Sequence, residues 1–361
     1  DPFVNPAKSP RATPGFFASP FVHGVSENRG GGQSLPVGGW WRAGSWSGAL
    51  MGAMQQLDRE RTAWNTPNSE RTALNRYLST SVAKQVGPWS VGVEGSWSEL
   101  GAVDGVDLLY AGSDRIRQEG SSAEFRLGVA RDLPGDRTIE ALLLTSRFGM
   151  THDVHYTTWR WDSVTRTNVS SQRDEHNVDA SRMWGAHTEY TQPIGNEGWR
   201  LGVLGTLNRL WHPKIPDFIL GETRTVPRDP GDSWAVNTGV GIGRTRGRTT
   251  VGLEIVYEPI RSTTWGNAAR DTAKAGGGIL PAGSRTVDNE FKFENMHFRL
   301  GLEKRIASGT DTSATSEFIA FQGGLAVRPI DYRLDQLNYI TGIRRDQHEH
   351  WAEWSPTFGM R

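Results

Sequence analysis

The stretch Ser121–Met150, SSAEFRLGVARDLPGDRTIEALLLTSRFGM, decides the fold. Ala123, Phe125, Leu127 and Val129 alternate with Ser122, Glu124, Arg126 and Gly128. That period of two belongs to a strand with one apolar and one polar face. Leu133-Pro134-Gly135-Asp136-Arg137 reads as a tight turn, in which proline presets one dihedral and glycine permits the next. A second apolar strand starts at Ile139 and runs on into a long polar, aromatic loop at about 151–181, whose His155–Trp161 stretch is expected to extend the barrel wall beyond the membrane. A short turn at one end of a hairpin and a long loop at the other is how strands follow one another in a membrane barrel.

The pattern repeats in both directions. Strands are expected near 16–26, 34–43, 45–57, 73–86 and 89–98 before the hairpin. After it they are expected near 182–192, 199–211, 234–243, 251–258, 291–302, 319–328 and from about 346 to the end. With the hairpin this makes about 14 strands, with longer loops after the odd strands and mostly short turns after the even ones. The cleanest alternation sets Trp89, Val91, Val93, Gly95 and Trp97 against Ser90, Gly92, Glu94, Ser96 and Ser98. Its two tryptophans stand about 27 Å apart at roughly 3.4 Å per residue, near the height of a lipid-facing band between aromatic girdles. In the strand near 291–302 the apolar phase slips by one near Glu294–Asn295, which suggests a β-bulge. The expected fold class is therefore all-β, a transmembrane antiparallel β-barrel with short periplasmic turns and long extracellular loops. Lipid cannot satisfy a sheet edge, so the last strand is expected to pair with the first.

Composition agrees. The 361 residues carry zero formal net charge and are only 36% hydrophobic, yet include 15 Trp and 43 Gly. A disordered chain is poor in aromatics, whereas a barrel combines a polar lumen with aromatic girdles. No cysteine is present, which excludes disulfides and thiolate metal sites. No run of 18 apolar residues exists, so no transmembrane helix is expected. The balanced charge leaves no general nucleic-acid footprint. The start at Asp1 fits a processed N-terminus, and a cytoplasmic chain would look the same.

Residues 1–15 place proline at 2, 6, 10 and 14, a spacing that predicts an extended segment, either a small plug in the barrel mouth or a loose leader. Residues 16–361 form the barrel. The tripeptide Asn5-Pro6-Ala7, the aromatic walls and the strand count resemble the long-chain fatty-acid and aromatic-hydrocarbon transporter family of outer membranes. The resemblance implies a fourteen-stranded barrel plugged by an N-terminal hatch, with Asn5, Pro6 and Ala7 as plug candidates. The segment here is much shorter than a full hatch. Outer-membrane barrels commonly end in an aromatic residue, and against the ending Phe358-Gly-Met-Arg361 a final residue or two is expected beyond Arg361.

The period-two faces assign Glu94, Glu124, Arg126, Arg200, Asn208, Asn237, Glu254, Arg299, Glu303, Gln322 and Arg328 to the lumen. They either pair with one another across strands or line a pore that selects solute charge. His348-Glu349-His350 puts two imidazoles on one face of a strand with no third ligand, and reads as rim residues. No catalytic residue, metal or cofactor is assigned. The expected function is passive uptake of small solutes, hydrophobic ones among them, across a bacterial outer membrane. The alternative is a scaffold barrel that anchors a surface or secretion assembly through its loops; a barrel enzyme ranks below both. Expected partners are outer-membrane lipids, a small-molecule solute and proteins met through the extracellular loops, with no nucleic acid.

Overall fold

The computed structural model describes residues 5–24, 31–58, 72–104, 112–211, 219–220, 223–224, 228–268, 270–307 and 318–360. A short 3-10 helix, Pro6–Arg11, precedes β1 (Gly15–Ala18), β2 (Phe21–Gly24), β3 (Gly31–Ala43), β4 (Trp46–Asp58), β5 (Thr72–Val86) and β6 (Trp89–Val103). Then come β7 (Arg115–Leu133), β8 (Arg137–Asp162), β9 (Thr167–Ile194), β10 (Trp199–Trp211), β11 (Ile219–Leu220), β12 (Thr223–Arg224) and β13 (Arg228–Arg246). The chain continues through β14 (Thr249–Asn267), β15 (Thr272–Ala273), β16 (Ile279–Leu280), β17 (Arg285–Ala307), β18 (Phe318–Asn338) and β19 (Arg344–Met360). The pairs β11–β12 and β15–β16 are small hairpins outside the wall.

The wall is one antiparallel sheet in chain order, β1-β3-β4-β5-β6-β7-β8-β9-β10-β13-β14-β17-β18-β19. β1 and β2 pair with β3 in one unbroken register, so they are two halves of an edge strand interrupted at Ser19–Pro20. The wall thus has the fourteen positions that the alternation predicts. Short turns place glycine at positive φ, as at Gly87 (57°) and Gly135 (75°), where a side chain would be strained.

The burial pattern is that of a soluble protein turned inside out. Outward Leu300 and Phe358 are 52% and 90% exposed, whereas inward Glu94, Gln118 and Asn295 are 5%, 4% and 1% exposed. In water this arrangement would cost heavily on both faces; in lipid it is the favourable one. Aromatic residues mark the two edges of the apolar band. At the short-turn rim, Lys84 lies over Trp46, Arg131 over Trp89 and Arg244 over Trp199, each at about 5 Å. At the other rim Arg209 lies over both Trp211 and Trp234, and Trp184 meets Trp234 edge-on at 5.6 Å. Indoles with cations above them suit the boundary between lipid and water.

Three expectations are corrected. The barrel is not closed: among the described residues β19 pairs with β18 alone, and its other edge makes no ladder with β1 or β2. Second, β17 has no bulge at Glu294–Asn295, because its registers with β14 and β18 run unbroken through that point. The apolar residues change faces there because the surroundings change. Below it Phe298, Leu300 and Leu302 face outward; above it Phe291 and Phe293 face inward, with Ile330 and Leu334 buried beside them. Phe293 stacks on Tyr332 at 4.9 Å. The outer face turns polar at the same level, with Lys292, Asp331 and Arg333. This is a regular strand leaving lipid for water. β7–β9 do the same, burying Ile116, Val154 and Tyr156 inside. Third, the segment 151–181 is not a loop but a continued hairpin of β8 and β9, closed by the turn at 163–166, in line with the expected extension of the wall at His155–Trp161.

Candidate functional site

The proline-rich start forms a 3-10 turn where proline spacing alone predicts extended chain. Pro6 opens it, where a missing N–H costs nothing, and the Asn5 side chain caps it by accepting from the Ala7 N–H at 3.1 Å. Asn5, Pro6 and Ala7 are buried against the inner wall. Asn5 Nδ2 donates to Glu140 Oε2 at 3.0 Å, and Lys8 Nζ lies 2.6 Å from Glu140 Oε1. Arg11 pairs with Asp132 at 2.7 Å. Further on, the Trp40 indole N–H donates to the Thr13 carbonyl and Arg42 to that of Ala12 at 3.2 Å.

The wall is hollowed to receive this turn. Its inward residues here are Ser47, Ala49, Ser81, Ala83, Ser90, Gly92, Gly128 and Ala130, all small. Gly92 and Gly128 are direct cross-strand partners. A Cβ on Gly92 would lie 2.5 Å from the Pro6 carbonyl carbon, and one on Gly128 would collide with the Asn5 side chain. These two glycines exist for close approach of a second backbone.

On the opposite wall a cavity of about 900 Å³ stays open. It spans β9 to β19 on the concave side of the sheet. Its inner surface carries a cross-strand row of glycines, Gly243–Gly252–Gly301–Gly324. A Cβ on Gly301 would meet nothing within 4 Å, and one on Gly252 would come no nearer than 3.9 Å to another atom. Arg200, Glu254, Arg299, Glu303 and Gln322 border this cavity. Arg299 donates to Glu254 at 3.1 Å and Gln322 to Glu303 at 2.8 Å, while Arg200 reaches the Asp136 carbonyl in the short turn at 2.8 Å.

The remaining lumen residues fall into separate groups. Glu94 accepts from Ser79 at 2.9 Å, and Arg126 bridges Glu124 at 2.5 Å and Glu94 at 3.9 Å. Asn237 and Arg328 join a knot on Glu258, a residue sequence reading passed over. Asn295 donates to Glu258 at 2.9 Å, Arg328 at 3.0 Å and His297 at 3.4 Å, and the Asn237 amide, turned nitrogen inward, at 3.1 Å. Asn208 packs where a Cβ on Gly185 would otherwise sit. Lumen charges are therefore largely paired with each other, and five of the eleven candidates converge on the open cavity. Glu140 and the Gly92–Gly128 pair were missed because their significance depends on strand register. His348 donates to Asp331 at 2.7 Å on the outer face. Among the described residues no group of three or more His, Asp or Glu could hold a metal ion.

No known family profile matches the chain, and no curated protein matches it. Solved structures do. The ferric-catecholate import receptor Fiu of E. coli K12, in its open form, aligns at 11% identity and TM-score 0.49 over 98% of this chain and 68% of that one. The Pseudomonas putida toluene transporter TodX aligns at 10% identity and TM-score 0.34, over 94% and 86%. The β domain of the Bordetella autotransporter BrkA aligns at 10% and 0.26, over 91% and 98%. The chain spans 58% of the Acinetobacter baumannii siderophore receptor PirA. At these identities and scores the comparisons assign neither family nor substrate.

Proposed function

We propose that this chain is a bacterial outer-membrane barrel for passive uptake of small solutes, including partly apolar ones. The observation that carries this reading is the asymmetric lumen. One wall is occupied by the Asn5–Arg11 turn seated on Gly92 and Gly128, while the other keeps about 900 Å³ open over a glycine row. The inward apolar residues of the upper wall, Phe291, Phe293, Tyr332 and Leu334 among them, give an apolar solute a surface to enter along before it meets the Glu258 knot. The N-terminal turn acts as a small plug that narrows the path without filling it.

Liposome swelling tests it. Proteoliposomes should admit small neutral solutes, and Gly252→Leu with Gly301→Leu should slow entry while the protein still folds. Equal rates for the filled and native chains would remove the cavity from the path. A scaffold role has one observation in its favour: Trp159 and Trp161 stand 68% and 59% exposed on the β8–β9 hairpin, far above the apolar band. A chain that admits no solute but loses a surface partner on Trp159→Ala would favour that reading.

A further inference from the structure

A second cavity, of about 510 Å³, opens on the outer face of the wall beyond the apolar band. Trp265, Asp288, Leu337 and Arg344 form one cross-strand row through β14, β17, β18 and β19. They share the parity of the lipid-facing residues lower on the same strands. Trp265 lies eight residues past Tyr257, about 27 Å along the strand at roughly 3.4 Å per residue, so the cavity faces water. Its volume falls within the roughly 300–1,000 Å³ of small-molecule sites.

The chemistry of the lining narrows the occupant. Arg285 lies over one face of the Trp265 ring, 5.1 Å from its centroid, and is paired with Asp288, which also accepts from the Tyr339 hydroxyl at 2.8 Å. Arg344 forks onto Asp335, with its Nε at 3.1 Å and its Nη2 on the second oxygen. Asp288 and Asp335 are each held by an arginine, and Glu290, which also lines the cavity, by Lys292 at 3.0 Å, so the charges cancel and an ionic ligand gains little. What is left is a set of fixed acceptors and donors beside an indole and a phenol. Paired acceptors and donors in fixed geometry match vicinal hydroxyls, and an aromatic face matches the C–H face of a sugar ring. The geometry points to a binding site for an uncharged saccharide, with the face of Trp265 turned away from Arg285 as the stacking platform and Asp288, Asp335 and Arg344 as the hydroxyl partners. This site lies on the opposite face of the wall from the lumen and does not depend on the transport reading.

The test uses the full chain in detergent, titrated calorimetrically with soluble gluco-, galacto- and manno-configured oligosaccharides. A parallel arm uses the chain in nanodiscs with or without lipopolysaccharide, read by hydrogen exchange over residues 285–290. Binding of a free oligosaccharide identifies a soluble source; protection only with the glycolipid identifies a membrane one. In either arm Trp265→Ala and Asp335→Asn should weaken binding at least tenfold, about 1.4 kcal/mol, and Trp159→Ala should leave it unchanged. Tyr339→Phe removes one hydroxyl and guards against a folding defect; it should weaken binding less than Trp265→Ala does. No binding in both arms, binding indifferent to Trp265→Ala and Asp335→Asn, or binding confined to sulfated sugars would overturn the assignment.

Discussion

Gly128 and Gly301 look alike in the sequence, each an inward glycine on an alternating strand, yet they stand in opposite situations. The Asn5 side chain occupies the space a Cβ on Gly128 would need, while the same space at Gly301 is empty. Gly128→Ala should therefore dislodge the N-terminal turn and cost about 1–3 kcal/mol through overpacking. Gly301→Ala should be neutral or stabilise by about 0.4–1 kcal/mol, because only the unfolded chain loses freedom. Thermal unfolding of the two variants side by side checks the contrast, with proteolysis inside Asn5–Arg11 as a second reading for Gly128→Ala. Asn5→Ala removes both the cap on the 3-10 turn and a bond to Glu140, and should likewise expose the turn to protease, at a cost of about 0.5–2 kcal/mol.

Among the elements, the strands carry the argument through their faces. Leu300 points at lipid, so Leu300→Arg near the middle of the band should cost about 2–4 kcal/mol, measurable by urea titration in lipid. Above the band the outer face is aqueous, and electrostatics there follow solution rules. The hydrogen bond from His348 holds the Asp331 carboxyl below its ordinary 3.8. A depressed carboxylate contributes stability above its unfolded value and loses it as pH falls through the folded one. The contact between β18 and β19 should thus loosen only below the ordinary carboxylate range. Hydrogen exchange over 344–350 should rise there, and Asp331→Asn should remove the acid dependence. Strand faces were legible in the sequence because period two needs no register, which is why the wall positions and the lumen candidates emerged. The bulge at Glu294 was misread for a physical reason: apolar residues changing faces look the same as a slipped strand until pairing shows that the solvent has changed instead. The seat of the N-terminal turn stayed hidden because Gly92 and Gly128 are thirty-six residues apart and meet only through register.

In the molecule as a whole, the wall runs through fourteen positions and leaves a seam, two edges with no ladder between them among the described residues, at β19 and β1–β2. The seam is flanked by some of its most lipid-ready side chains, Phe16 and Val22 on one side and Phe358 and Met360 on the other. Inside, the N-terminal turn and the glycine-walled cavity divide the lumen between them. That division is the central claim, and single-channel conductance of the intact chain and of a chain lacking residues 1–15, in a planar bilayer, tests it most directly. The account predicts steady conductance from the intact chain through the open side and a larger conductance once the turn is gone. Silence from both, in protein shown to be folded, or identical conductance from the two, would contradict it.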